Sequence, residues 1–242
     1  MFKIIAVTNR SLCTEDFPAR VEQIAAAGLS HTQSKPSKPP KKITSPQQLL
    51  EWKGHFRAPS YLDRYGISEL ILREKDLSEN AYLSLAKQVT ARCDLYGVKC
   101  TLHSFPGVAE QIGCTRLHLP FPAFQEFMNK HTSHNPFSVI GTSVHSAKDA
   151  QSAAELGADY LIAGHIFETD CKQGLPGRGL AFLKEVCQSV PVPVYAIGGI
   201  DETNIASVRD AGASGACLMS PFMLDRDPDS LLNRLRRSLG ED

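Results

Sequence analysis

Residues 138–164, SVIGTSVHSAKDAQSAAELGADYLIAG, contain two short apolar runs separated by a segment with helical spacing. The runs SVIG and DYLIA have the composition of buried strands. Between them, Ser146 and Asp149 form an S-x-x-D helix start, and Ala150 and Ala153 lie on one face of the helix that follows. A strand, a helix and a second strand in this order predict a parallel βαβ unit.

The same alternation continues along the whole chain. Between the apolar runs lie segments with helical spacing, such as Tyr82, Leu85, Ala86, Val89 and Cys93. Eight strands that alternate with helices in about 250 residues predict a (β/α)8 TIM barrel, a fold of the α/β class. The other six predicted strands are KIIAV near 3, ELIL near 69, KCTL near 99, RLHL near 116, PVYAI near 193 and GACLM near 215.

An open, doubly wound sheet of the Rossmann type is the competing architecture. Its diagnostic glycine-rich turn after the first strand is absent, because residues 6–12 read AVTNRSL. We therefore predict a single TIM-barrel domain over residues 1–242. In such a barrel the loops that follow the strands meet at the C-terminal face, where barrel enzymes have their active sites.

Residues 31–66 interrupt the alternation between the first helix and the second strand, where loops of about 2 to 6 residues are usual. This basic, Pro/Lys-rich insertion has seven basic and two acidic side chains, so it carries a charge of +5 and the rest of the chain −5. Ser45 and Pro46 predict the start of a short helix within it. Three roles are open: a dispensable excursion, a contact with a partner or a second copy, and a lid.

Composition excludes several classes of protein. The net charge is zero and the pI is about 7.1, which gives no general attraction to nucleic acid or to an anionic membrane. The seven cysteines include no CxxC pair, as is usual for reduced thiols in the cytoplasm. No apolar run approaches the roughly 18 residues of a membrane span. We expect a cytoplasmic protein with no nucleic-acid or membrane partner, and homo-oligomerisation is open.

Two glycine-bearing or small-residue turns follow the last two predicted strands. Gly198 and Gly199 follow the seventh strand in AIGGI, and Met219 and Ser220 follow the eighth in CLMSPF. Loops at these positions often hold a phosphate through backbone N–H groups. We therefore expect a phosphorylated small molecule as ligand, although a Gly-Gly pair can also merely turn the chain.

Histidines and cations follow other predicted strands. His165, in GHIFETDCKQGLPGRG (164–179), can give and take protons near neutral pH. His145 is a second candidate, in support of His165. The Arg73 guanidinium can bind an anion through two parallel N–H donors, and the Lys172 ammonium can bind one as a point charge.

The remaining histidines and acids do not predict a metal site. His103 and His118 lie in or at the end of predicted strands, and we interpret them as packing or hydrogen-bonded side chains. The histidines lack HExxH or similar spacing, and acids near strand ends are not paired. Lys75, two residues after Arg73, is a further cation that can meet an anion.

These motifs together resemble the thiamine phosphate synthase/TenI superfamily of phosphate-binding (β/α)8 barrels. The resemblance covers essentially the whole chain apart from the insertion. The segment around the sixth strand resembles the TenI branch, whose members are thiazole tautomerases, more than the synthase branch, which usually reads GPxxxTxTK there. The motifs are LREKDLS, GTSVHS, GADYLIAGHIFETDCKQGLPGRG, PVYAIGGI and GACLMS.

The departures from the synthase pattern concern its Mg²⁺ ligands. Synthases hold Mg²⁺ and a pyrimidine diphosphate with aspartates after the third and fourth strands. The corresponding stretches here, LHSFPGV (102–108) and HLPFPAF (118–124), contain no carboxylate. A synthase with relocated ligands and a non-catalytic, phosphate-ligand-binding regulatory barrel remain as alternatives.

The resemblance therefore implies an isomerase of thiamine biosynthesis that needs neither a metal nor a cofactor. Its substrate would be a phosphorylated, carboxylated thiazole in the exocyclic-alkene form, and its product the aromatic tautomer. The implied catalytic residue is His165. The implied substrate contacts are Gly198, Gly199, Met219 and Ser220 for the phosphate, and Arg73 and Lys172 for the carboxylate.

Overall fold

A computed structural model describes residues 1–28, 65–131 and 134–241. Eight parallel strands close a barrel in sequence order, and β8 pairs with β1. This architecture confirms the predicted (β/α)8 fold. The strands are β1 Lys3–Val7, β2 Glu69–Leu72, β3 Lys99–His103, β4 Arg116–Pro120, β5 Val139–Val144, β6 Tyr160–Gly164, β7 Val194–Ile197 and β8 Gly215–Leu218.

Helices cover the outside of the barrel. The predicted helix start at Ser146 is confirmed, because its hydroxyl accepts a hydrogen bond from the Asp149 N–H at 3.0 Å. Two 3₁₀ turns, Arg10–Leu12 and Asp170–Lys172, lie in the loops after β1 and β6. In the described ranges the α-helices are α1 Phe17–Ala26, α2 Glu79–Tyr96, α3 Pro106–Ile112, α4 Phe121–Lys130, α5 Ala147–Glu155, α6 Gly179–Ser189, α7 Ile205–Asp210, α8 Ser220–Leu224 and α9 Pro228–Ser238.

The alternation of side chains along each strand creates two apolar layers. Outward-facing strand residues pack against the helices, including the predicted buried face of α2, where Tyr82, Ala86 and Val89 are fully buried. Inward-facing residues fill the barrel itself. This interior cluster consists of Ile5, Val7, Ile71, Tyr160, Ile162, Tyr195 and Cys217.

A polar cluster closes the N-terminal end of the barrel. The Arg116 guanidinium donates to the Glu69 carboxylate at 2.6 Å and to Thr101 Oγ1 at 3.2 Å. Glu69 is 5% exposed, so its charge is compensated inside the fold. With this end filled, the C-terminal face is where a ligand can enter.

Tyr82 ties α2 to the barrel. Its buried hydroxyl donates to the Leu72 carbonyl at 2.7 Å and accepts from the His103 N–H at 3.0 Å. We expect Tyr82→Phe to lower the free energy of unfolding by about 1–3 kcal/mol, because two buried backbone groups lose their partner. Urea unfolding measures the loss. Tyr96→Phe is the control, because the Tyr96 hydroxyl donates to the partly exposed Glu22 carboxylate. An equal loss of stability in Tyr96→Phe would contradict the role given to the buried backbone groups.

The predicted insertion at 31–66 lies outside the described residues, except for its last two positions. The helix start predicted at Ser45 and Pro46 lies outside them as well. Across the part of the chain that the structure describes, every helix is too short or too polar to cross a membrane.

Candidate active site

The β7 and β8 turns lie side by side at the C-terminal face. Ile197 pairs with Cys217, so Gly198 and Gly199 leave the barrel next to the Met219–Ser220 segment that begins α8. Both glycines have positive φ angles, 102° and 64°. The structure thus brings the four predicted phosphate contacts into one region.

The Gly-Gly turn packs tightly against the loop that follows β6. A Cβ atom at Gly198 would lie 2.3 Å from the His165 Cβ, and one at Gly199 would lie 2.4 Å from the Glu168 carbonyl oxygen. The Phe167 N–H also donates to the Gly198 carbonyl at 3.0 Å. Glycine is required here for close backbone approach as well as for the positive φ angles.

The β6 loop extends from His165 toward α8. The His165 ring is half-buried, and its Nε2 lies 3.2 Å from the Leu175 carbonyl oxygen in the same loop. Cys171 Sγ lies 3.8 Å from Ser220 Oγ. Lys172 is therefore next to a residue that contacts the predicted phosphate region.

His145 lies just beyond the end of β5. Its Nδ1 is 2.8 Å from the Gly164 carbonyl oxygen, at the end of the neighbouring strand β6. Because a carbonyl only accepts, Nδ1 carries a hydrogen, and in the neutral form of the ring the lone pair is then on Nε2. The side chain is exposed, and its position continues the inward-facing series of Gly141 and Ser143.

Arg73, Lys75 and Lys172 bring positive charge to the mouth of the barrel. The pKa of Lys75 is lowered by partial burial and by the charges of Arg73 and Lys172, so the β2 and β6 loops approach each other across the mouth. Among the described residues, none of the three cations forms an ion pair with a carboxylate. They can therefore neutralise an anionic ligand.

A buried carboxylate fixes the position of Arg73. Glu74, 2% exposed, accepts from Thr8 Oγ1 at 2.7 Å and from the Arg10 N–H at 3.0 Å. Thr8 Oγ1 in turn accepts from the Arg73 N–H at 2.9 Å. The desolvated Glu74 carboxyl has a raised pKa. This network joins the β1 and β2 loops beneath the predicted anion contact.

His103 and His118 are hydrogen-bonded, as predicted, but they also lie beside the candidate site. They pair across β3 and β4, and their rings stack at a centroid distance of 5.3 Å. Burial lowers the pKa of His103 to about 2 and that of His118 to about 3, and Arg73 and Lys75 contribute to both shifts. Both rings are therefore neutral.

Two polar side chains next to these histidines were missed as site residues by the sequence analysis. Ser143 Oγ lies 2.9 Å from His118 Nε2, and Ser104 Oγ lies 2.6 Å from His103 Nδ1. Ser104 has a φ of 69°, which is costly for a residue other than glycine. The signal that could have identified them is their position at or near the C-terminal ends of strands.

The side chains at the ends of β3 and β4 do not fit a magnesium ion. The residues that follow these strands, Ser104 and Phe121, carry no carboxylate, whereas Mg²⁺ prefers carboxylate oxygens. The nearby Glu74 carboxylate is already held by Thr8 and Arg10. Within residues 1–28, 65–131 and 134–241, no cluster of three or more His, Cys, Asp or Glu side chains has a metal-binding arrangement.

Comparisons with known proteins bear on this site. The chain matches the TMP-TENI family model, described as thiamine monophosphate synthase, over residues 60–222. Thiamine-phosphate synthase 2 of Streptococcus pneumoniae is 32% identical over 169 residues, covering 68% of this chain and 78% of that protein. Thiamine-phosphate synthase of Thermus thermophilus is 32% identical over 176 residues, covering 72% and 84%.

A solved structure has the same fold. Thiamine phosphate pyrophosphorylase from Pyrococcus furiosus superposes on the chain with a TM-score of 0.71 at 22% sequence identity. The superposition covers 99% of this chain and 96% of that one. At this identity the likeness concerns the barrel fold alone.

Proposed function

The chain belongs to the thiamine monophosphate synthase/TenI family, and from this premise we propose that it is a thiazole tautomerase. Its substrate is the exocyclic-alkene form of a carboxylated thiazole ethyl phosphate, and its product is the aromatic thiazole carboxylate phosphate. One proton leaves a ring carbon and one arrives at the exocyclic carbon, so the composition is unchanged. Aromatisation favours the product, and the enzyme has only to lower the barrier.

The chemical groups at the mouth of the barrel are the observation that supports this proposal. It offers cations, neutral imidazoles and backbone N–H groups, but no carboxylates at the ends of β3 and β4. A diphosphate that is held through Mg²⁺ would lack its oxygen ligands there. A proton transfer within a phosphorylated carboxylic acid needs acid/base and anion-binding groups, and both kinds are available.

We assign the acid/base role to His145. Its Nδ1–H donates to the Gly164 carbonyl, which fixes the ring and leaves the Nε2 lone pair as a base. The Nε2 has no partner among the described residues, and His145 follows β5 at the position that continues the inward-facing series of Gly141 and Ser143. His165, which the resemblance implies as the catalytic residue, directs its Nε2 toward Leu175 in its own loop. In this proposal His165 supports the site by packing against Gly198.

The remaining predicted residues bind the two anionic groups. The backbone N–H groups of the Gly198–Gly199 turn and of the Met219–Ser220 segment hold the phosphate. Arg73, with Lys172 and Lys75, neutralises the carboxylate. In this proposal one substrate bridges the two groups of contacts, with the reacting carbons between them.

Synthase activity is the second candidate, because the curated relatives named above are thiamine-phosphate synthases. It would require Mg²⁺ ligands other than the residues at the ends of β3 and β4. The coupling of a thiazole phosphate to a pyrimidine diphosphate in the presence of Mg²⁺ is the corresponding assay.

The test supplies the full-length protein with freshly made thiazole synthase product in D₂O and follows the exocyclic-alkene signal by NMR. We expect the signal to disappear faster than in buffer, at a rate that EDTA does not change. We also expect deuterium at the exocyclic carbon, because a histidine proton exchanges with solvent before it is delivered.

Two other outcomes would contradict the tautomerase. Mg²⁺-dependent formation of thiamine phosphate without tautomerisation would identify a synthase. Binding of the thiazole phosphate with neither reaction would identify a non-catalytic regulatory barrel.

A further inference from the structure

Three side chains form a hydrogen-bond chain from the barrel interior to its mouth. Tyr160 Oη lies 3.1 Å from His118 Nδ1, and His118 Nε2 lies 2.9 Å from Ser143 Oγ. Tyr160 and His118 are 3% and 1% exposed, whereas Ser143 is half-buried. The chain thus connects a buried phenol to a hydroxyl that a ligand can reach.

The ring of Tyr160 is held in one place by its neighbour on β5. A Cβ atom at Gly141 would lie 2.2 Å from the Tyr160 Cζ, so the glycine provides the space that the ring occupies. The ring also packs against Tyr195 at a centroid distance of 5.4 Å. The position of the phenol oxygen next to His118 is therefore fixed by packing.

The buried Tyr160 hydroxyl sets the direction in which hydrogen bonds are donated from Tyr160 to Ser143. Burial raises the pKa of Tyr160 far above its ordinary value, so the hydroxyl keeps its hydrogen. A buried hydroxyl hydrogen needs an acceptor, because an unsatisfied donor is strongly unfavourable. Within the described residues, His118 Nδ1 is the acceptor within reach. Tyr160 therefore donates to His118.

His118 passes this direction to Ser143. The ring is neutral, so it carries one hydrogen, and with Nδ1 accepting, that hydrogen is on Nε2. Nε2 then donates to Ser143 Oγ. The serine oxygen accepts from below, and its own hydrogen is left for a group in the mouth.

We propose that Tyr160 is a positioning residue that, acting through His118, commits the Ser143 hydroxyl to donate a hydrogen bond to the ligand. A ligand atom that receives the Ser143 hydrogen is an acceptor, such as a carboxylate oxygen or an unprotonated ring nitrogen. Arg73 and Lys75 lie close enough to His118 to shift its titration, so an anionic ligand fits both features. That this ligand is a thiazole carboxylate phosphate rests on the proposed function, whereas the direction of donation does not.

Histidine ¹⁵N NMR of the full-length protein tests the direction, with His118→Gln used to assign the signal. We expect wild-type His118 to be neutral with its hydrogen on Nε2. Tyr160→Phe removes the donor to Nδ1, so the ¹⁵N resonance of this unprotonated nitrogen should move downfield, as expected for an acceptor that loses its hydrogen bond. Calorimetry with the aromatic thiazole carboxylate phosphate should show a roughly 3- to 10-fold loss of affinity in Tyr160→Phe. Tyr160 acts through the Ser143 hydroxyl, so once that hydroxyl is removed in Ser143→Ala, adding Tyr160→Phe should cause no further loss of affinity.

Tyr195→Phe is the matched control, because its hydroxyl is also inside the barrel but lies near Lys3 Nζ, at 3.4 Å. It should leave the His118 tautomer and the affinity unchanged. A wild-type His118 with its hydrogen on Nδ1 would overturn the proposal, and so would an Nδ1 resonance that does not move in Tyr160→Phe. If the wild-type protein does not bind the thiazole at all, the proposed function fails, but the tautomer measurement still decides the direction of donation.

Discussion

His145→Gln should lower the tautomerisation rate by at least about 10²-fold, the usual range of a positioned acid/base group. Glutamine can still donate a hydrogen bond to the Gly164 carbonyl, which His145 Nδ1 meets at 2.8 Å, but it cannot take a proton. Binding of the phosphorylated product should change little, because the proposed phosphate contacts lie at the β7 and β8 turns. Single-turnover kinetics and calorimetry measure the two quantities separately.

His165→Gln decides between the two assignments. In the proposal this residue acts only by packing against Gly198, so we expect a loss of less than about 10-fold, an indirect effect below that of a positioned acid/base group. His131→Gln is the remote control, because that ring stacks on Phe127 at the end of α4. A large loss in His165→Gln together with near-normal turnover in His145→Gln would reverse the assignment in favour of the residue that the resemblance implies.

Gly199→Val should weaken binding of the phosphorylated ligand by at least about 10-fold and should also reduce turnover. A non-glycine residue at the φ of 64° costs about 1–3 kcal/mol. Its Cβ would also lie 2.4 Å from the Glu168 carbonyl and 2.8 Å from the Phe167 Cβ. The sequence alone predicts a loss of binding. The structure adds a second effect, because the new side chain would clash with Phe167 and Glu168 and displace the β6 loop, which should also lower the rate.

Gly113→Ala separates the backbone strain from the clash. Gly113 has a similar φ of 71° at the end of α3, and a Cβ there meets no atom within 4 Å. We expect Gly113→Ala to lower the melting temperature without changing affinity or rate. Unchanged affinity in Gly199→Val would count against a phosphate site at this turn.

Local sequence was sufficient for the elements of the fold. Apolar runs of four or five residues predicted all eight strands, and the spacing of Tyr82, Ala86 and Val89 predicted the buried face of α2. These features depend on the period of the backbone and on burial, which neighbouring residues share. The S-x-x-D start at Ser146 is equally local, since a cap spans only one turn.

The candidate site required the tertiary structure. Sequence placed His145 and His165 after adjacent strands and ranked His165 first, but it could not predict the bond from His145 to Gly164, because that bond depends on how β5 and β6 pair. In the same way, His118 can be read as a packing residue until its bonds to Tyr160 and Ser143 are seen.

By itself, then, the sequence determined the order of strands and helices, the closed parallel barrel and the loops at which a site would form. Only the tertiary structure decided which side chains meet across those loops. Lys172 approaches Lys75 and Cys171 meets Ser220 over separations of 97 and 49 residues. The physical reason is that such contacts follow from strand register and side-chain direction around a closed barrel, and neither is encoded in the periodicity of any single segment.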